Sequence, residues 1–115
     1  MADDMLQTVV SVRGHTIRVM AKQWAHVTEA HDYMSGNLDK VLETVSEPSR
    51  VLEGARGESL ALRDYESTNI SPKTAVVIYR DEQDGFVITA FFTSKPDKIE
   101  SRRERIWPES ASQES

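Results

Sequence analysis

The chain has 115 residues, enough for one domain with a real core and too few for two comfortable ones. Hydrophobic residues make up 38% and charged residues 29%, as in an ordinary globular domain, and the absence of cysteine excludes a disulfide framework, a thiolate zinc site and a cysteine nucleophile. A net charge of −5 argues against indiscriminate phosphate binding, which needs Lys and Arg to neutralise many phosphates.

The opening "MADDMLQ" is acidic and carries no apolar run, and no stretch is long and apolar enough for a membrane span, so a cytoplasmic protein without membrane contact is expected. "TVVSV", Arg13-Gly14 and "HTIRVM" read as two β-branched runs about a tight turn, a small hairpin. From Lys22 the period changes, with Trp24, Val27, Thr28 and His31 within one arc of a helical wheel, which predicts a helix over about 21–33. "MSGN" interrupts it, and Asn37 is placed to cap a second helix in which Leu38, Val41, Leu42 and Val45 recur at helical spacing up to Pro48.

Beyond Pro48 the period becomes two. "RVLEG", "ESLALRDY", "TAVVIYR" and "FVITAFF" predict four successive strands, the last two joined by "DEQDG", where Asp84-Gly85 suggests a two-residue hairpin turn. "ESTNISPK" reads as a polar loop, and Ile99 and Ile106, seven apart in "KIESRRERIW", suggest a short helix before Pro108. Residues 108–115 are expected to fray. The sum is a single α+β domain over 1–107: an N-terminal hairpin and two helices packed on one face of a four-stranded antiparallel meander, with a short C-terminal helix. The second sheet face is then open to a ligand.

"HVTEAH" is the chain's densest group of chemically able residues. A zinc helix sets its histidines four apart, on one face; His26 and His31 are five apart and diverge by about 140°. No metal site and no cofactor are expected. His31 falls in the apolar stripe, where a half-buried histidine joining helix to sheet is the plain reading, whereas His26 lies off it and is either a solvated surface group or an acid–base group. His15 has no partner evident in sequence. With Asp84-Gly85 as the turn, Arg80 pairs with Thr89, Ile78 with Phe91 and Val76 with Thr93, while Val77, Tyr79, Ile88, Ala90 and Phe92 face the helices. Arg80 beside Thr89 is then either a solvated cross-strand pair or a phosphate-holding fork, with Arg63 projecting onto the same face. "SRRER" with Lys95 and Lys98 forms a basic cluster, alternating with Glu100 and Glu104 as a solvated helix face does.

Laid out in this order, "QWAHVTEAHDYM", "LDKVLETVSEPSRVLEGARGESLALRDY" and "TAVVIYRDEQDGFVITAFFTSKPDK" resemble the phage-associated branch of the predicted ribonuclease domains grouped with barnase, EndoU, colicins and RelE-type toxins. The resemblance covers about residues 16–107. It implies metal-independent RNA cleavage, in which the ribose 2′-hydroxyl attacks the adjacent phosphorus with side chains supplying base, acid and cationic support. Carried onto this chain, the resemblance implies His26, His31 and Arg80 with the hydroxyls Thr89, Thr93 and Ser94; joined to the strand and basic-cluster readings, the expected catalytic set is His26, His31, Arg80 and Thr89, and the expected substrate-binding residues are Arg63, Thr93, Ser94 and Lys95. RNA is the expected partner, with a protein inhibitor possible for a toxin-like domain; the alternative is a non-catalytic protein-binding module of the same fold, which the acidic charge favours.

Overall fold

The computed structural model describes residues 3–66, 68–69 and 73–108. In chain order these form β1 (Met5–Val10), β2 (Thr16–Met20), α1 (Ala21–Ala30), a 3-10 turn (Asp32–Met34) and α2 (Leu38–Ser46). There follow β3 (Arg50–Glu53), β4 (Ser59–Tyr65), β5 (Lys73–Tyr79), β6 (Gly85–Thr93), α3 (Pro96–Glu100) and β7 (Arg105–Trp107). The architecture is α+β: one seven-stranded sheet in the order β1-β2-β6-β5-β4-β3-β7, antiparallel except where β2 runs parallel to β6. Two main helices pack on one face and the short α3 lies towards the other. No helix among the described residues is long and apolar enough to cross a membrane.

The central strand β5 explains the layering. Ala75, Val77 and Tyr79 are buried on one face and Val76 on the other, so its side chains are removed from water in both directions. On the inner face these residues meet Val27 of α1, Met34, and Val41 and Val45 of α2, together with Ile17, Val19, Val87, Ala90 and Phe92 of the sheet. On the outer face Leu52, Leu60, Leu62 and Val76 form a second buried cluster, against which Ile78, Phe91 and Ile99 of α3 pack. After β6 the chain crosses this face through α3 and pairs as β7 beyond β3. The outer face is therefore partly roofed rather than open, because strands apolar on both sides need cover on both.

The sheet also exceeds the expected meander. The N-terminal hairpin joins it through Ile17↔Gly85 and Arg18↔Phe86, and Arg105–Trp107 is a strand where a helix was expected, with Ile106 on β7 and only Ile99 on the helix. The first helix stops at Ala30, with Asp32–Met34 continuing as a 3-10 turn. Asn37 precedes α2 but its side chain does not cap it; its Nδ2 donates to the Tyr33 carbonyl (2.9 Å) and to Asn69 Oδ1 (3.2 Å). The expected frayed tail falls, apart from Pro108, outside the described residues.

The register of the last hairpin differs from the two-residue turn. Thr89 pairs with Ile78, Phe91 with Val76 and Thr93 with Thr74, and Arg80 N–H donates to the Phe86 carbonyl (3.0 Å), so Arg80 and Thr89 are not partners. Two local features account for the shift. The left-handed residue is Asp84 (φ 63°), which lengthens the turn, and Ile88 is an extra residue bulged between the Val87 and Thr89 pairings. The bulge places Val87, not Ile88, in the inner core. The Ile88 carbonyl accepts a hydrogen bond from Gln23 Nε2 of α1.

Gly85 is fixed by close approach and not by its torsion. A Cβ there would lie 2.2 Å from the Arg80 carbonyl oxygen and 2.7 Å from Ile17 Cδ1. Gly85→Ala must shift backbone at the junction of β2, β5 and β6, and is expected to destabilise the chain by about 2–3 kcal/mol, read as a lowered urea midpoint at unchanged slope.

Candidate functional site

The free part of β6 positions the candidate site. β2 pairs with β6 only near its start, so beyond Phe86 the strand's outer edge is met by α1 and the 3-10 turn. Tyr33 seals part of it: its hydroxyl lies 3.4 Å from both the Phe92 carbonyl oxygen and the Phe92 amide nitrogen. Tyr33 Oη also lies 3.2 Å from His31 Nδ1, and the two rings sit 5.6 Å apart. The half-buried His31 is thereby held at the sheet edge, where its ring lies 5.7 Å from that of Phe91.

Phe91 belongs to the outer face. With Leu60 and Ile78 it floors a hollow of about 260 Å³ whose other side is built by Lys98, Ile99, Arg102 and Arg103, from α3 and the residues that follow it. Lys98 and Arg102 have no side-chain hydrogen bond or ion pair among the described residues. Arg103 and Arg80 both act on Glu58, whose carboxyl is held below its usual range first by backbone hydrogen bonds, its own and that of Arg56, and then by these guanidinium groups. Thr89, as the partner of Ile78, shares this sheet face. The result is an apolar-floored groove with a cationic wall, and an imidazole lies against Phe91 of its floor.

The sequence-predicted residues divide between this groove and other surfaces. His31 lies beside Phe91 and Thr89 beside Ile78, so each neighbours a residue of the groove floor. Arg80 lies at its far end and donates through Nη1 to the Arg56 carbonyl (2.9 Å). Arg80 lies four residue steps along the chain from Val76, the partner of Phe91, a span of about 13 Å; His31 and Arg80 do not meet over one phosphate. His26 is exposed on α1. Arg63 lies on the opposite face, because its partner Ala75 belongs to the inner core. There it donates to the Glu47 carbonyl, pairs with Glu43 (3.6 Å) and stacks over Tyr65 (5.5 Å to the ring centre). Burial, and secondarily the hydrogen bond to Glu43, push the Tyr65 phenol up to about 12.

Thr93 and Ser94 line a separate hollow of about 240 Å³ with Asp64, Tyr65, Lys73 and Thr74. Lys95 is exposed beside it, its backbone N–H bonded to Thr93 Oγ1 (3.0 Å). This hollow lies at the other end of β4 and β5 from Arg80.

Sequence reasoning missed two clusters. His15 Nδ1 lies 2.9 Å from Oδ1 of Asp81, and Ser11 Oγ donates to the same oxygen (2.7 Å). The Asp81 side chain is 4% exposed. This clasp ties the first hairpin's turn to the β5–β6 loop, where backbone pairing between β2 and β6 is brief; a separation of 66 residues leaves no local signal. Beside it the fully buried Tyr79 hydroxyl has no partner among the described residues, and burial together with the Asp81 charge pushes its ionisation upward. The second cluster is Arg50, which bonds Asp64 (2.9 Å) and Glu100 (2.8 Å) and so pins the end of α3 to β3 and β4. Among the described residues no three metal-ligating side chains converge.

No family model, curated protein or solved structure matches the chain. The functional reading is therefore carried by the residues themselves.

Arg50 gives the groove a pH dependence. Its hydrogen bonds hold the Asp64 carboxyl below the usual value of 3.8, with burial opposing and Thr74 assisting. A depressed folded-state value contributes stability above the unfolded value and loses it as pH falls through the folded one. The protection factors of the amides over 96–107 are thus expected to hold down to about pH 4 and to fall below it. In Arg50→Gln the same amides should exchange faster already at neutral pH, with β4 and β5 little changed.

Proposed function

We propose that the chain is an RNA-directed, ribonuclease-like domain whose groove takes a short single-stranded segment without a metal ion. The observation that carries the reading is that His31 lies against Phe91, which floors a groove walled by Lys98, Arg102 and Arg103. An aromatic ring accepts any base by stacking, cationic side chains hold the adjoining phosphates, and an imidazole takes up or returns a proton near neutrality. In the reaction so supported, His31 accepts the proton of a ribose 2′-hydroxyl, that oxygen bonds to phosphorus, and the bond from phosphorus to the 5′-oxygen breaks. The leaving oxygen takes a proton from water or a nearby group, giving a 2′,3′-cyclic phosphate and a 5′-hydroxyl. The cationic side chains offset charge on the phosphorane. Arg80, engaged with Arg56 and Glu58, extends the cationic track and is not required to touch the reacting phosphate.

The net charge of −5 limits the site to local contacts. For two phosphates on a single strand, the slope of log affinity against log salt is about −1.4. Arg102→Glu with Arg103→Glu should abolish most of this slope, and Phe91→Ala should weaken binding about tenfold through lost stacking. His31→Ala is expected to lower EDTA-resistant cleavage at least about 100-fold while leaving binding nearly intact, whereas His26→Ala should change neither. Intact RNA at high concentrations of folded wild-type protein would remove the catalytic part of the reading. No binding at low salt would remove the rest.

A second reading, a protein-binding module, is favoured by a different observation: the edge strand β1 exposes Met5, Leu6 and Val10.

A further inference from the structure

His31 is held by more than its own helix. Its backbone N–H donates to the Val27 carbonyl (2.8 Å) and its carbonyl accepts from the Met34 N–H (2.8 Å), which fixes the chain where α1 passes into the 3-10 turn. Tyr33 is fixed as firmly. Its carbonyl accepts from Asn37 Nδ2 (2.9 Å) and Asn69 Nδ2 (3.0 Å), and its ring stacks on that of Phe92 at 5.6 Å and 21°. With both residues anchored in this way, the 3.2 Å between Tyr33 Oη and His31 Nδ1 is set by the fold.

Which atom carries the proton in that contact follows from counting donors at the edge of β6. The N–H and C=O of one strand residue point to the same side. Phe92 turns both toward Tyr33 Oη, each at 3.4 Å, and so away from β5. Its N–H donates to the phenol oxygen. Its carbonyl needs a donor in return, because Phe92 is only 7% exposed and β2 has left the edge after Phe86. The single hydroxyl proton of Tyr33 meets that need. That proton is then not free for His31, and the remaining contact forms only with hydrogen on the ring, Nδ1–H donating to Oη. A neutral imidazole with hydrogen on Nδ1 has none on Nε2. With the phenol donating to Nδ1 instead, the buried carbonyl would be left without a donor, which is the costlier arrangement.

We infer that Tyr33 is a positioning residue that selects the Nδ1–H tautomer of His31 and so makes Nε2 its proton-accepting atom. Histidine free in water favours the other tautomer, so the phenol sets a state the ring does not hold by itself. The catalytic consequence, that Nε2 takes the proton of the ribose 2′-hydroxyl, rests on the RNA reading of the groove. The protonation pattern does not.

Nitrogen-15 NMR of the imidazole rings, recorded without RNA at about pH 9 where a free imidazole is neutral, reads that pattern directly. In the wild type, His31 Nδ1 is expected at the shift of a protonated ring nitrogen and Nε2 at that of an unprotonated one, with the exposed His26 showing the reverse. Tyr33→Phe keeps the stacked ring, removes the hydroxyl and should turn His31 to the His26 pattern, while unmoved methyl signals of Val41 and Val45 report that the core is folded. With RNA, the same variant should lower kcat about tenfold at unchanged KM. Hydrogen on Nε2 of His31 in the wild type overturns the inference, and that measurement needs no variant to fold. An Nδ1–H tautomer that persists in folded Tyr33→Phe, or an unchanged kcat, overturns the role of Tyr33. The expected tautomer in a protein that cleaves no RNA removes the catalytic reading and leaves the Tyr33–His31 assignment standing.

Discussion

Everything in this molecule follows from β5 being apolar on both faces. A strand reading "TAVVIY" cannot lie on a one-sided sheet without leaving Val76 or Val77 in water, and each is fully buried. The inner side is met by α1 and α2, whose stripes supply Val27, Val41 and Val45. The outer side is met by the chain's own return, which lays Ile99 over Leu60, Ile78 and Phe91 before ending as β7. Because α3 is only five residues long, the cover is incomplete. The groove is the part of the outer face that so short a roof leaves uncovered.

That origin accounts for its chemistry. Residues 98–103 must turn Ile99 inward while staying soluble, which leaves Lys98, Arg102 and Arg103 around the opening. Arg50 fixes the strap from below by reaching Asp64 and Glu100; hydrogen bonds from both outweigh the burial that works against its charge. His31 arrives by a separate route. The edge of β6 needs its backbone groups satisfied where β2 departs, and Gln23 and Tyr33 meet them. The residue preceding that 3-10 turn is then carried to the edge beside Phe91. A structural demand at the strand edge thus delivers an imidazole to the side of Phe91, the residue that floors the groove.

Much of the fold was legible because it is written in periodicity. The Val41–Val45 spacing, the β-branched runs of β5 and β6 and the Gly14 turn (φ 87°) each encode local structure. What sequence could not encode was register. One bulged residue at Ile88 and one left-handed Asp84 moved the pairing of the last hairpin by two positions, separating Arg80 from Thr89. The five residues from Val76 to Arg80 then spread groups that a two-residue turn would set side by side. Arg63 went to the opposite face for a related reason: the loop before β5 hides the β4–β5 register, and alternation turns a single slip into a change of face. The clasp of His15 with Asp81 depends on a parallel contact between distant strands, for which neighbouring residues carry no mark. Ile106 illustrates the limit of spacing. Seven residues from Ile99 suits a helix, yet pairing with β3 beyond the strap offers Arg105–Trp107 a ladder that five helical residues cannot match.

The half-roofed outer face, with Phe91 as its floor, is the surface we propose for RNA. Two-dimensional NMR of the labelled protein titrated with a short uridine-rich oligonucleotide tests it most directly. The account predicts saturable shifts in the Phe91 ring, the Ile78 and Ile99 methyls and the side-chain signals of His31 and Arg102, with the inner-face methyls of Val41 and Val45 unmoved. Shifts confined to other surfaces, or none at low salt, would contradict it.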